Sequence, residues 1–171
     1  MKIRSRWIMF FSAAIFAASQ LNIVLMLAPL EPSVFALQLA FTAASFWQIV
    51  DAWGDAGLAL YRAHFVFDNV HPFIYGAFGY LLVSRSSLFA GLSPAIYRAV
   101  LLMLPVAGLF DLCENAAHSH LLSQAHGSGA LLVALSASCA LLKWALASLF
   151  AVLLVGRLYV RYRTSMPWRM R

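Results

Sequence analysis

Residues 130–156 carry one charged side chain, Lys143, in an apolar run well beyond the ~20 residues that cross a bilayer core. Three further runs of this kind occupy residues 7–30, 63–83 and 99–118. Lipid offers peptide groups no hydrogen-bond partner, so a spanning chain must be helical or a closed barrel. Unbroken apolar runs, without the alternation of barrel strands, select helices. With 63% hydrophobic and 11% charged residues and a mean hydropathy of +0.83, a soluble domain is excluded. The expectation is an all-α membrane protein: one integral membrane domain over residues 1–171, built as an antiparallel bundle of four transmembrane helices.

Basic residues set the orientation. Lys2, Arg4 and Arg6 precede the first run, while Arg157, Arg161, Arg163, Arg169 and Arg171 follow the last. The positive-inside rule places both groups on the cytoplasmic side, which requires an even number of spans. Residues 34–50 would make that number odd, and Gln38, Thr42, Ser45 and Gln48 interrupt them at helical spacing. This stretch therefore reads as an amphipathic interfacial helix between the first and second spans, on the outer side. Arg85 and Arg98 then join the inner side with the basic tail 157–171; Arg62 and His64 mark the outer interface. Tyr159, Tyr162 and Trp168 read as interfacial anchors.

The first run resembles a secretory signal in its basic flank and its small residues Ala17, Ala18 and Ser19. It stays apolar through residues 21–30, so an uncleaved first span is expected. The net charge of +6 sits at the ends of apolar runs and reads as topology rather than nucleic-acid binding. Arginine outnumbers lysine and alanine is abundant, the composition of a GC-rich bacterial chain, so the inner membrane is the expected location. Cys113 and Cys139 lie inside apolar runs and offer neither a disulfide framework nor a CxxC metal motif; Cys113 is expected to pack.

Two polar stripes cross this apolar background. Asp68, His71 and Tyr75 are spaced i, i+3, i+7 and project from one helical face, with Asn69 and Pro72 beside them. Asp111, Glu114 and His118 repeat the spacing in the next run, with Asn115 alongside. From the helical rise, Asp68 lies about 7 Å and His71 about 12 Å below the outer surface, against about 6 Å for Glu114 and about 10 Å for Asp111. Lys143, deep in the last run, needs a partner, and Asp111 matches its depth. Pro72 cannot donate the helical bond that the Asp68 carbonyl would accept. Gly76 and Gly79, with Ala77, predict close helix packing.

Burying an ionisable group in a span costs roughly 2.5–3.5 kcal/mol on insertion scales, so such groups mark function by default. Carboxylates and imidazoles on facing helices are ligands for a divalent metal, here zinc, iron or manganese, whose bound water becomes a nucleophile. Asp68, His71, Asp111, Glu114 and His118 are the expected metal ligands. Asp68, Asp111 and Glu114 are the candidate acid–base groups, and Asn69, Tyr75, Asn115 and Lys143 complete the polar pocket. The reading is a metal- or proton-binding site in the outer half of the bilayer, in a membrane-embedded hydrolase or lipid-modifying enzyme that takes a lipid-soluble substrate. Its alternatives are a proton- or ion-transport subunit and an accessory or assembly subunit held among other membrane subunits. His120 and His126, in the outer loop, are expected to be solvated, and Gln20 and Asn22 to hydrogen-bond across the bundle.

Overall fold

A computed structural model describes residues 3–164, with side chains from Trp7 onward. Lys2, Trp168, Arg169 and Arg171 lie outside the described residues, as do the side chains of Arg4 and Arg6. The described chain is helical, without strands: α1 (Ile3–Leu27), α2 (Val34–Gln38), α3 (Ala43–Asp68), α4 (His71–Arg85), α5 (Pro94–Leu121) and α6 (Ala130–Thr164). Residues 157–164, expected in the tail, are the last turns of α6.

Among the described residues three segments are long and apolar enough to cross a membrane: Trp7–Leu27, Pro94–Leu121 and Ala130–Thr164. Their exposed surface is itself apolar. Only 6% of the α1 window is buried, leaving Phe10, Phe11 and Leu25 outward, a surface suited to lipid. Ser93 and Pro94 start α5 as expected, the Ser93 hydroxyl accepting from the Ile96 N–H at 3.5 Å.

The expected second span, 63–83, is not one helix. It breaks at Asn69 and Val70, where the Val70 N–H bonds the Phe67 carbonyl (3.1 Å) and the Phe73 N–H bonds the Val70 carbonyl (3.2 Å). These tighter three-residue turns replace the bond that Pro72 cannot donate. Asn69 and Val70 keep right-handed backbone angles, so the chain bends without opening into a loop. At 15 residues, α4 is too short to span alone.

Residues 34–50 are likewise not one interfacial helix. Helix α2 ends at Gln38 and α3 begins at Ala43, where the Thr42 hydroxyl accepts from the Ser45 N–H (3.2 Å). Thr42 thus serves as an N-cap rather than as part of a polar face. Gly54, at φ 59° and ψ −172°, breaks α3 itself in a conformation only glycine adopts freely. Val34, Leu37, Phe46, Trp47 and Val50 turn inward and pack with Tyr61, Phe65 and Leu121 as a buried apolar cluster.

Three indole N–H groups hold this layer. Trp53 donates to the Pro32 carbonyl (2.6 Å), Trp47 to the Ser128 carbonyl (3.0 Å) and Trp144, on α6, to the Gln38 side chain (3.0 Å). Below it, α4 packs between α1 and α5, and α5 packs against α6. A second apolar cluster gathers Leu82, Val83, Phe89, Leu104 and Phe150 at the other end. There Arg157 donates to the carbonyls of Leu88 (2.6 Å) and Ala90 (2.5 Å), and Arg161 to the Ser87 hydroxyl (3.1 Å). The basic end of α6 is thereby tied to the α4–α5 connection.

Glycine sets how closely α4 and α5 approach. A Cβ on Gly79 would lie 2.6 Å from Leu104, and one on Gly108 would lie 3.0 Å from the Pro72 carbonyl oxygen. The close packing expected at Gly76 and Gly79 is present, and Gly108 supplies its counterpart on α5. Gly108→Leu is expected to lower the thermal unfolding midpoint in detergent, at a cost of about 1–3 kcal/mol. Gly156→Leu, where nothing lies within 4 Å, is expected to leave it unchanged; equal effects of the two would contradict this packing.

Candidate functional site

Between the two apolar clusters lies a polar layer. Asp68, His71, Asp111, Glu114, Asn115, His118 and Lys143 are all buried, Glu114 and His118 completely. Both expected stripes turn inward, and the bend at Asn69 does not separate Asp68 from His71 and Tyr75. The layer consists of three linked sets rather than one point of convergence.

The first set is ionic. The Lys143 ammonium, carried on α6, donates to Asp111 Oδ1 (2.8 Å) and lies 2.6 Å from Glu114 Oε2. The Glu114 contact satisfies the ion-pair distance but not hydrogen-bond alignment, and neither Glu114 oxygen has a hydrogen bond. The Tyr75 hydroxyl donates to Asp111 Oδ2 (3.1 Å). Lys143 thus holds the partner its depth required and a second carboxylate besides.

The second set joins α3 to α5. Asn115 donates to Asp68 Oδ2 (2.8 Å) and Asn69 Oδ1 (3.4 Å). His64 Nε2 lies 3.6 Å from Asp68 Oδ2, while its Nδ1 meets the Tyr61 carbonyl. His64 was expected at the interface; it is buried, because its ring stacks on Tyr61 and lies tilted against Phe65 beneath the cap formed by α2 and the first part of α3. Tyr61 in turn bonds His118 Nδ1 at 2.7 Å, leaving His118 Nε2 buried without a partner.

The third set holds His71 away from the carboxylates. Its Nδ1 pairs with the Ser19 hydroxyl (2.9 Å) and its Nε2 with Gln20 Oε1 (3.1 Å), both on α1. Both partners of the ring are uncharged side chains. Phe16 stacks on the ring at 6.0 Å and on Phe78 at 5.0 Å. Gln20 makes its expected bond across the bundle; Asn22 is exposed and makes none.

Among the described residues no three His, Cys, Asp or Glu side chains are arranged to hold a metal ion. Asp111 and Glu114 both face the Lys143 ammonium, and both nitrogens of His71 are engaged by α1. In the outer loop, His120 bonds Gln124 (2.7 Å), and His126, exposed, bonds Asp51 (2.8 Å). Cys113 is exposed on α5 rather than packed, and both cysteines are free.

Beside the polar layer opens a cavity of about 280 Å³. One end is lined by Asp68, His71, Tyr75, Asp111 and Lys143, the other by Phe78, Leu104, Phe150 and Leu154, with Phe16 and Gln20 from α1, Gln38 from α2 and Trp144, Ala147 and Ala151 from α6 along the sides. Glu114, a candidate acid–base group by sequence, does not line it and stands behind Lys143. Helices α1 and α6, on opposite sides, share no extended packing interface.

Tyr61 and Ser19 went unrecognised in the sequence. Tyr61 was within reach, since Tyr61, His64 and Asp68 have the same i, i+3, i+7 spacing as the stripes. Ser19 carries no local signal, because only the packing of α1 on α4 brings it to His71. No protein-family model matches the chain, and neither a curated protein nor a solved structure is significantly similar to it.

Removing Lys143 strands two buried carboxylates. Lys143→Met is expected to cost about 3–5 kcal/mol, the penalty of breaking a buried ion pair from one side. Adding Asp111→Asn and Glu114→Gln is expected to recover most of the loss in denaturant unfolding. A fully stable Lys143→Met protein would show that the ammonium does not neutralise these acids.

Proposed function

We propose that this is a multi-pass membrane protein that admits a lipid-soluble substrate into the cavity and performs acid–base chemistry on it at Asp111, Asp68 and Tyr75. The observation that carries this reading is the cavity itself. Ion pairs that merely join helices gain nothing from a neighbouring void, since polar contacts between membrane helices average only about 0.6 kcal/mol. Here the ionic set forms one end of an apolar chamber, the arrangement of a binding site with a few convergent polar groups. The weak packing between α1 and α6 supports entry sideways from lipid. In this reading Lys143 holds Asp111 in position, and Glu114 holds Lys143.

The proposed topology has four spans, the second formed by the end of α3 running through the bend into α4. Residues 63–85 rise about 34 Å as a continuous path, enough for the ~30 Å hydrocarbon core. Both termini are then cytoplasmic, in keeping with the positive-inside rule, and α2 with the first part of α3 covers the outer end. A reporter fused after Ser45 is expected on the outer side and one after Arg171 inside; opposite placement of either overturns this topology.

General acid–base groups contribute typically 10²–10⁴-fold to rate. Membranes carrying the protein, incubated in D₂O, are expected to yield an extractable lipid-soluble compound that has gained deuterium. That exchange should fall about 100-fold in Asp111→Asn. A divalent metal at Asp111 and Glu114 would have to displace the Lys143 ammonium, so protein purified without chelator is expected to carry no stoichiometric zinc, iron or manganese. Bound metal lost in Asp111→Ala and His71→Ala would favour the metal-dependent hydrolase instead. A second reading, a proton relay, draws on the unpartnered Glu114 oxygen and His118 Nε2, which stand one turn apart on α5. Proton flux into liposomes abolished by Glu114→Gln, with no exchange into any lipid, would favour it.

A further inference from the structure

Among the described residues, Asp68 is the carboxylate of the polar layer that forms no ion pair with Lys143. It is 8% exposed and lines the cavity. Its Oδ2 accepts from the neutral Asn115 amide and stands 3.6 Å from His64 Nε2, while its Oδ1 accepts no hydrogen bond among the described residues. Among the described residues the one ammonium of the layer is shared by Asp111 and Glu114. Of the other groups that face the layer, His71 lies between the uncharged side chains of Ser19 and Gln20, and His118 is bonded to the Tyr61 hydroxyl. With every carboxylate ionised, three negative charges face the one Lys143 ammonium, an excess of two that each proton gained by a carboxylate or an imidazole lowers by one. In lipid such an imbalance demands a cation or a proton.

The cavity walls suit the first of these. Phe16 and Phe78 lie stacked at 5.0 Å beside His71, and Trp144 already receives Lys143 at 5.4 Å from its ring centroid. Aromatic faces attract cations, most strongly away from water. Beyond them the chamber turns wholly apolar around Phe150 and Leu154. A molecule filling it therefore needs a positive head at Asp68 and a hydrocarbon body.

We propose that the ligand of this cavity is an amphiphilic cation, a protonated amine on an apolar body, whose ammonium pairs with Asp68 Oδ1. This rests on the cavity being a lipid-accessible binding site, as proposed above, and adds the charge of what it binds. The test uses the full chain in nanodiscs at neutral pH and three photoreactive probes sharing one diazirine-bearing alkyl tail, with an amine, an alcohol or a carboxylate head. Labelling is mapped by mass spectrometry and normalised to each probe's membrane partition. The amine probe is expected to label the cavity segments around Phe16, Phe78 and Ala147 about tenfold more than the alcohol, equivalent to about 1.4 kcal/mol. Asp68→Asn should abolish that preference while retaining labelling; the head-group comparison on the unaltered protein holds even if this variant fails to fold. Equal labelling by all three heads, or preference for the carboxylate, overturns the charge assignment and leaves the binding cavity standing. Absence of cavity labelling by any probe overturns both.

Discussion

The Lys143 ammonium, set between Asp111 and Glu114, is the contact on which the interior depends. Three acids buried in an apolar helical bundle carry a desolvation cost of several kcal/mol, and one cation on α6 offsets the two on α5. The pairing also fixes the rotation of both helices, since a turn of either about its axis would leave a charge facing lipid. Helix α4 is drawn into the same arrangement through Tyr75, whose hydroxyl bonds the second Asp111 oxygen. Its contact with α5 is then limited by how closely Gly79 and Gly108 let the backbones approach.

Around that contact the molecule is organised in layers. An apolar cluster under the cap and another near the basic end enclose a polar belt, and the cavity opens from the belt toward α1 and α6. The cap is held by tryptophan indoles that donate to carbonyls in the connections before α2 and α6 and to the Gln38 amide at the end of α2. It covers Tyr61, His64 and His118, which would otherwise be wetted. Coverage strengthens every electrostatic interaction beneath it by lowering the local dielectric. In the proposed function this cover shields the site, and the limited packing between α1 and α6 gives a route in from lipid.

The polar belt was legible in part. Equal spacing of Asp68, His71 and Tyr75, and of Asp111, Glu114 and His118, placed six groups on two inward faces, because helical periodicity is a local property. The Lys143–Asp111 pair followed from depth alone. The division of labour within the belt did not follow. His71 belongs to Ser19 and Gln20 because α1 packs on α4, an adjacency that no spacing encodes. His64 is a buried neighbour of Asp68 because α3 continues through the expected boundary and its ring is covered by the cap.

Hydropathy and charge by themselves determined that this chain is helical and carries runs long and apolar enough to cross a membrane. They also located the ionisable residues along the spans. Tertiary structure decided what those residues face. It bent the second expected span at Asn69 and Val70, where Pro72 withholds a backbone donor, and divided residues 34–50 at a Thr42 cap. It also assigned one ammonium to two acids and left Asp68 beside an open chamber. Such pairings depend on which helices touch and at what rotation, and these are set by long-range packing rather than by the order of residues along any one helix.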